Sequence, residues 1–196
     1  LHAHPEPSRE EYQTTLFLGR KLEESGIPFR VIPSGRGSIA GPEPVSGLRH
    51  VAVRADMDAL RLQDLKEVAY RSTRDGVMHA CGHDAHSTMA LGAALALSRS
   101  VRALPWPVSW RAIFQPAEEV GEGAAEMVGA GAVDGVDAIV ALHVAPDLPV
   151  GHVGVRFGVL TAYCQEIDVT IRGVGGHAAR PHLTIDPIAA AAQFVA

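Results

Sequence analysis

The stretch HVAVRADMD, residues 50–58, indicates the fold class of this chain. Its first six residues are typical of a β-strand, and Asp56 and Asp58 follow directly. Two further strands are predicted at 108–114 (VSWRAIF) and 137–144 (DAIVALHV). The continuous apolar run of the last of these is typical of a strand that is covered on both faces.

Predicted helices separate these strands. The other predicted elements are helices over 8–26, 87–99 and 122–132, a short strand over 29–32 and a solvent-facing Gly/Pro/Ser loop over 33–47. Ser8 and Glu11 form the pattern of a capping box at the first helix. The second helix is apolar on nearly every side, which predicts a buried helix that Ser87 or Thr88 caps. Strands that alternate with helices predict an α/β fold, with a mostly parallel sheet flanked by helices.

The pattern changes toward the C-terminus. Residues 166–173 (EIDVTIRG) alternate strictly between polar and apolar, which is typical of a half-exposed strand in an antiparallel α+β sheet. We therefore predict a first domain over 1–162 and the beginning of a second over 163–196. Asp186 is predicted to cap a last helix, with Pro187 in its first turn. That helix runs to the final residue without a Gly or a polar tail, so we expect the chain to be a piece of a longer protein.

The composition argues against several classes of function. The chain has 196 residues, of which 47% are hydrophobic, and this is enough to bury a sizeable core. A net charge of −5 gives no sign of a nucleic acid or an anionic membrane as partner. The longest apolar run is far shorter than the roughly 20 residues that a membrane helix needs. Cys81 and Cys164 do not make a disulfide scaffold, which favours a reducing, cytoplasmic location; the chain begins at Leu1, which leaves secretion open.

Side chains with metal-binding or acid–base chemistry follow the predicted strand ends or precede the helix at 87–99. They are Asp56, Asp58, Cys81, His83, Asp84, Glu118, Glu119 and His143. In open α/β sheets ligands bind beyond the carboxyl ends of the strands, so these side chains are expected at one edge. Cysteine, histidine and carboxylate are the ligands of zinc and similar metals. Adjacent glutamates cannot point the same way, so one of the pair can bind metal while the other moves protons.

Other interpretations of the same residues stay open at this point. Alone, a cysteine is usually a small buried hydrophobe, a histidine a core residue, and a pair of glutamates a solvated helix start. Cys81 could also be a nucleophile that His83 or His143 activates, but the glutamate pair would then have no role. His79 and His86 are interpreted as supporting or structural residues. No serine-hydrolase elbow, dinucleotide fingerprint or P-loop lysine is present.

Longer motifs give a family resemblance over essentially the whole chain. They are RADMDALRLQD (54–64), MHACGHDAHSTMALGAA (78–94), FQPAEEVGEGAAEMVGAGAVDGVDAIVALHV (114–144), PVGHVGVRFGVLTA (149–162) and GGHAARPHLTIDPIAAAAQ (175–193). The chain resembles the metal-dependent amidohydrolases that include hippurate hydrolase, N-acyl-L-amino-acid amidohydrolase and the indole-acetyl-amino-acid hydrolases. Motifs of this length are specific for the family and not for its substrate.

The resemblance implies a zinc-peptidase-like catalytic domain and a smaller inserted α+β lid that mediates a homodimer or homo-oligomer. It also implies two divalent metal ions per full-length subunit, of zinc, manganese, cobalt or nickel. The implied metal ligands are Cys81, His83, Glu119 and His143. Glu118 would be the general base, His177 would steady the oxyanion, and Asp58 and Asp84 would support the ligands from behind.

Two departures from the family pattern matter. More distant relatives have a ligand histidine where this chain has Asp56, and we expect the Cys81 thiolate to take over that role. The last family ligand, a histidine far toward the C-terminus, lies beyond the end of this chain. We therefore expect these 196 residues alone to be inactive and poorly soluble.

The expected reaction is metal-dependent hydrolysis of the amide bond of an N-acylated amino acid. A dipeptidase or carboxypeptidase on the same scaffold is the alternative within the same class. A non-catalytic relative that uses the fold for binding or dimerisation is the alternative from another class.

Overall fold

The computed structural model describes residues 1–160 and 167–196. These residues form two units, Leu1–Asp147 and Leu148–Ala196. The predicted domain boundary between residues 162 and 163 lies outside the described residues and stays a prediction, and Cys164 also lies outside them.

The described elements confirm most of the predicted order of strands and helices. In chain order they are α1 (Tyr12–Glu24), β1 (Phe29–Val31), β2 (Ser38–Ala40), β3 (Arg49–Asp56), α2 (His83–Ser100), β4 (Val108–Gln115), α3 (Gly123–Gly129), β5 (Ala138–Ala141) and α4 (Pro187–Val195), with short 3-10 turns at Val101–Ala103 and Pro181–Leu183. In the part of the chain that the structure describes, no helix is long and apolar enough to cross a membrane.

The sheet of the larger unit is mixed, with the strand order β1-β2-β4-β3-β5. Strand β3 pairs in parallel with both β4 and β5, as the alternation of strands and helices predicts. Strands β1 and β2 pair antiparallel with each other, and β2 pairs antiparallel with β4. The carboxyl ends of β3, β4 and β5 therefore lie at one edge of the sheet.

Helices flank both faces of this sheet, which confirms the predicted α/β architecture. One core cluster lies between the sheet and helices α1 and α2, and it includes Leu18, Leu22, Phe114, Ala90 and Ala94. The other lies on the side of α3 and includes Ile39, Ala52, Ile113 and Met127. Ile113 and Phe114 are neighbours on β4 and belong to different clusters, because successive side chains of a strand point to opposite faces.

The prediction of a solvent-facing loop over 33–47 is wrong at its centre, where β2 is fully buried. Gly37 and Gly41 flank the strand with φ of 80° and 126°, so the glycines do mark turns. The three residues between them form β2, which pairs with β1 on one side and β4 on the other. Such a short strand leaves no alternating pattern long enough to recognise.

The predicted capping box of α1 does not form. Helix α1 begins at Tyr12, and Glu6 caps it instead: its carboxylate accepts hydrogen bonds from the amides of Gln13 (3.1 Å) and Thr14 (2.7 Å). The Ser8 hydroxyl donates to Asp58 (2.7 Å), and the Glu11 carboxylate accepts from the amide of Ala117 (2.6 Å). Both residues instead make tertiary contacts beyond the carboxyl ends of β3 and β4.

Helix α2 starts at His83, four residues before the predicted start, so Ser87 and Thr88 are not its caps. The prediction that it is buried all round is also wrong. Its buried residues lie on one side and are His83, His86, Ser87, Ala90 and Ala94. Met89, on another side, is exposed. Small residues such as Ala90 and Ala94 face the sheet, whereas Met89 and Ala96 are exposed, so an apolar sequence pattern did not require burial on every side.

Strand β5 differs from its prediction as well, because all four of its residues are exposed. It lies at the edge of the sheet and pairs with β3 on one side. Among the described residues, the continuous apolar run of β5 is therefore not covered on both faces.

In the smaller unit, the predicted strand 166–173 is absent from the described residues 167–173. A single antiparallel bridge joins Val174 and Ile185, so the alternating segment has no strand partner among the residues described. Asp186 caps α4 as predicted, accepting from the amide of Ile188 (2.9 Å), with Pro187 in the first turn.

Candidate metal centre

The predicted convergence of polar side chains at the sheet edge is found in the structure. Asp56 ends β3, the glutamate pair follows β4 through a turn, and His143 lies two residues after β5. His83 is the first residue of α2, which begins at the same edge. Three sets of donor atoms each lie within 4.8 Å of one another: Cys81, His83 and His143; His83, Glu118 and Glu119; and Asp56, His83 and His86. His83 belongs to all three sets and is the centre of the site.

His83 is buried, with one ring nitrogen paired and the other free. Its Nδ1 lies 3.3 Å from Oδ1 of Asp58, and its buried Nε2 has no hydrogen-bond partner among the described residues. Nε2 lies 3.7 Å from Oε1 of Glu119 and 4.0 Å from Oε2 of Glu118. A carboxylate behind one ring nitrogen and an open lone pair on the other is the arrangement of a metal-binding histidine.

Asp58 is buried and joins three parts of the site. Besides contacting His83, its carboxylate accepts from the Ser8 hydroxyl (2.7 Å) and from the amide of Glu119 (3.0 Å). Burial alone would raise the pKa of Asp58, but the hydrogen bonds from His83, Ser8 and the backbone outweigh it and lower that pKa. Asp58 is therefore an anion that orients His83 and fixes the start of the glutamate pair.

The turn after β4 brings both glutamates to Nε2 of His83, so the expectation that they cannot point the same way is not met; the two differ in exposure. Ala117 adopts φ of 48°, the left-handed region, and its amide is bound by Glu11. Oε1 of Glu119 is buried without a hydrogen-bond partner among the residues described, whereas the side chain of Glu118 is 41% exposed. Burial raises the pKa of Glu119; the nearby His83 opposes this, and Glu118 adds to it. The more buried Glu119 suits a ligand, and the more exposed Glu118 suits proton transfer.

Cys81 is half-buried, and its Sγ lies 3.4 Å from Nε2 of His143. Burial and the neighbouring carboxylate of Glu119 raise the pKa of the Cys81 thiol to about 11. A nucleophilic cysteine needs the opposite shift, so this environment favours a ligand over a nucleophile. A divalent cation would supply the positive charge that a thiolate needs here.

The donor set therefore fits a divalent metal ion. Two buried acceptor atoms, Nε2 of His83 and Oε1 of Glu119, face each other without other partners among the described residues. Buried polar atoms are nearly always satisfied, and a divalent cation between these two acceptors would satisfy both. Thiol, imidazole and carboxylate together suit zinc and similar transition metals.

Two predicted site residues, Asp84 and His177, belong to none of the three donor sets found among the described residues. The Asp84 carboxylate accepts from Nδ1 of His2 (2.7 Å) and contacts no proposed ligand among the described residues. His177 belongs to the smaller unit, where its exposed ring accepts from the amide of Ala179 (3.1 Å). His79 is buried with neither ring nitrogen paired in the described residues, and burial lowers its pKa to about 4.

Sequence reasoning missed Ser8 and Glu11 as supports of the site. Both lie more than 45 residues before the residues they contact, and both match a common helix-start pattern. No local signal in the sequence separates these contacts from a helix cap, since Glu10 and Glu11 are adjacent acids and only Glu11 is buried in the structure.

A family model described as peptidase family M20/M25/M40 matches residues 52–196. The chain belongs to this peptidase family. The matched residues contain every proposed ligand and both glutamates of the turn. The supporting residues Ser8 and Glu11 lie before the matched range.

Curated relatives are similar to this chain over its whole length. The N-acetyl-L-cysteine deacetylase of Bacillus subtilis is 42% identical over 100% of this chain and 46% of its own length. The N-acyl-L-amino acid amidohydrolase of Geobacillus stearothermophilus is 41% identical over 100% of this chain and 52% of its own length. The chain thus spans about half the length of the curated relatives it matches.

A solved structure gives the same family assignment. A dinuclear metal-binding peptidase of the M20 family from Bacillus subtilis superposes with a TM-score of 0.74 at 42% identity. The superposition covers 80% of this chain and 43% of that protein.

Proposed function

We propose that this chain supplies most of the metal centre of an amidohydrolase that cleaves the amide bond of N-acylated amino acids. The observation that supports this most directly is a pair of buried acceptors on His83 and Glu119, 3.7 Å apart, which have no hydrogen-bond partner among the described residues; the half-exposed Glu118 lies beside them. Two relatives whose names state deacetylation or hydrolysis of N-acyl amino acids support the substrate class.

We propose that the full-length protein binds two divalent metal ions, as the name of the similar Bacillus peptidase states for that protein. In this chain Cys81, His83, Glu119 and His143 would bind them. The thiolate among these ligands favours zinc over harder cations such as magnesium. When bound, the metal polarises the amide carbonyl and lowers the pKa of a water molecule to about 7.

The chain's own residues then perform the proton transfers. The Glu118 carboxylate removes a proton from the attacking water, whose oxygen bonds to the amide carbon. The same carboxyl group returns that proton to the amide nitrogen as the carbon–nitrogen bond breaks, which releases a carboxylic acid and an amine; the acid's proton then passes to the amine, giving a carboxylate and an ammonium group. The exposure of Glu118 suits this role, because its carboxyl group can reach both water and a substrate.

His177 is proposed to stabilise the oxyanion of the tetrahedral intermediate. The smaller unit that contains it is proposed to mediate a homodimer. Light scattering of the full-length protein tests the dimer, and a His177→Ala variant with lowered kcat and unchanged metal content would support the oxyanion role.

The general base is tested with Glu118→Gln in the full-length protein. We expect turnover of an N-acetyl amino acid to fall by at least about 100-fold, because proton transfer by a positioned side chain contributes roughly 10²–10⁴-fold. Elemental analysis should find unchanged metal content. Glu122→Gln is the matched control, since Glu122 pairs with Arg9 on the surface of the same segment. Full activity in Glu118→Gln would contradict the assignment.

The substrate class is tested by comparing N-acetyl and N-benzoyl amino acids with free dipeptides. Faster turnover of the acylated amino acids supports the proposal, whereas a preference for dipeptides supports a dipeptidase on the same scaffold. A full-length protein that binds no divalent metal would favour a non-catalytic relative.

A further inference from the structure

We propose that His86 is a positioning residue that fixes the segment containing the ligand His143, through a neutral ring whose two nitrogens are both used in hydrogen bonds. The inference rests on the proposed metal site. His86 is buried on α2, one turn after His83. Its Nδ1 lies 2.6 Å from Oδ1 of Asp56, and its Nε2 lies 2.9 Å from the backbone nitrogen of Val144.

These two contacts determine the tautomer of His86. A backbone N–H can only donate, so Nε2 of His86 is the acceptor for Val144 and has no proton. The proton of the neutral ring is therefore on Nδ1, which donates it to Asp56. Neither nitrogen keeps a free lone pair, so His86 does not bind metal in this arrangement, although its donor atoms lie near those of His83.

Asp56 is in turn held by the sheet. Its other carboxylate oxygen accepts from Nη1 of Arg54 (2.5 Å), and Arg54 also donates to the side chain of Gln115 on the neighbouring strand (2.8 Å). The Ser87 hydroxyl donates to the backbone oxygen of Asp56 (2.8 Å). Hydrogen bonds to both carboxylate oxygens thus hold Asp56 in the position from which it supports His86.

The segment that His86 binds needs such a support. His143 and Val144 follow β5, an exposed edge strand, and are themselves exposed. The rings of His86 and His143 meet edge to face with centroids 4.4 Å apart, and Nε2 of His143 then faces Cys81. A Cβ on Gly82 would lie 2.4 Å from the Val144 side chain, so a glycine makes room for the close approach.

The structure thus assigns a continuous chain of contacts from β3 through Asp56 and His86 to Val144, the residue next to the ligand. Loss of the acceptor at position 86 should release the His143 segment while leaving all four proposed ligands in the sequence. Changes to residues that orient metal ligands typically weaken metal binding by roughly 10–100-fold.

The test compares His86→Leu with His86→Gln in the full-length protein. Leucine fills similar space without hydrogen bonds, whereas the glutamine amide can accept from Val144 and donate to Asp56. We expect His86→Leu to weaken cobalt binding by at least about 10-fold in a chelator competition, and His86→Gln to recover most of that loss. The thiolate-to-cobalt absorption band should change in His86→Leu and return in His86→Gln.

His50→Leu is the matched control, because His50 is a buried histidine with a hydrogen bond to Ser109 at the opposite end of β3. It should lower the melting temperature without weakening cobalt binding. Long-range ¹H–¹⁵N spectra of the metal-free protein should show the Nδ1–H tautomer of His86. An Nε2–H tautomer, or equal cobalt affinity in His86→Leu and the unaltered protein, would overturn the inference. An unaltered protein that binds no metal would overturn both this inference and the proposed function.

Discussion

Glu11 is a fully buried carboxylate whose main partner is a single backbone amide. Oε1 accepts from the amide of Ala117 at 2.6 Å, and Oε2 lies 3.7 Å from the guanidinium of Arg36. Burial raises the pKa of Glu11, and the backbone hydrogen bonds oppose that rise. Ala117 adopts a left-handed conformation that costs an L-residue about 1 kcal/mol or more. The Glu11 contact therefore stabilises the turn that precedes Glu118 and Glu119.

We predict that Glu11→Ala lowers the free energy of unfolding by about 1–3 kcal/mol, because the buried amide of Ala117 loses its acceptor. Glu11→Gln should lose less, since its side-chain oxygen can still accept. Urea unfolding measures both values. Glu10→Ala is the control: Glu10 is a neighbouring glutamate that pairs with Arg61 and Arg74 at the surface, and such pairs contribute about 0–1 kcal/mol. Equal losses at positions 10 and 11 would contradict the role of Glu11.

At the scale of elements, long apolar strands were predictable and short or indirect features were not. The sequence predicts β3, β4 and β5 because each strand is formed by a recognisable apolar run. The polar residues that come directly after these runs are therefore predicted at the strand ends. Strand β2 has three residues between glycines, too few for a pattern. Ser8 and Glu11 were assigned to a helix cap because they match a local capping pattern. Their actual partners, Asp58 and the amide of Ala117, are distant in sequence. Contacts with these distant partners replace the helix cap that the local pattern predicts.

Between β3 and α2 lies the segment 57–82, which contains Cys81 but no helix or strand. The side chain of Asp64 is buried there and accepts from the amides of Lys66 (3.0 Å) and Ser72 (2.9 Å) and from the ammonium of Lys66 (2.8 Å). The hydrogen bond from the Lys66 side chain, followed by that from Ser72, lowers the pKa of Asp64 well below its ordinary value. Asp64 is thus an anion that holds Lys66 and Ser72 of this segment in place through hydrogen bonds.

A lowered carboxyl pKa stabilises the folded protein fully above the ordinary value near 4, and the contribution is lost as pH falls toward the lowered value. We therefore predict that Asp64→Asn destabilises the chain by a constant amount from about pH 5 to 7, and that the difference narrows below about pH 4. Urea unfolding across this pH range measures it. Asp75→Asn, an exposed position in the same segment, is the control and should leave the curve unchanged. A difference that widens on acidification would contradict the role of Asp64.

The whole molecule is uneven in its burial. The two core clusters lie in the larger unit, on the two faces of the sheet. In the smaller unit none of the described residues, 148–160 and 167–196, is buried. Because burial and hydrogen bonding of the backbone determine how rarely a region opens, the two units should differ in local stability. This difference concerns the 196 residues of this chain, which span about half the length of the curated relatives.

Hydrogen exchange of the 196-residue chain, followed by mass spectrometry of peptides, tests this difference. We predict the slowest exchange in β3 and β4, which have paired strands on both sides and helices on their faces. Exchange in β5 should be faster, because it pairs on one side and its residues are exposed. Peptides from 167–196 should exchange at the earliest times, with α4 no better protected than β5, since its residues lack a buried face. Protection of α4 equal to that of β3 would contradict the prediction, because it would require a packed core that the smaller unit does not have in its described residues.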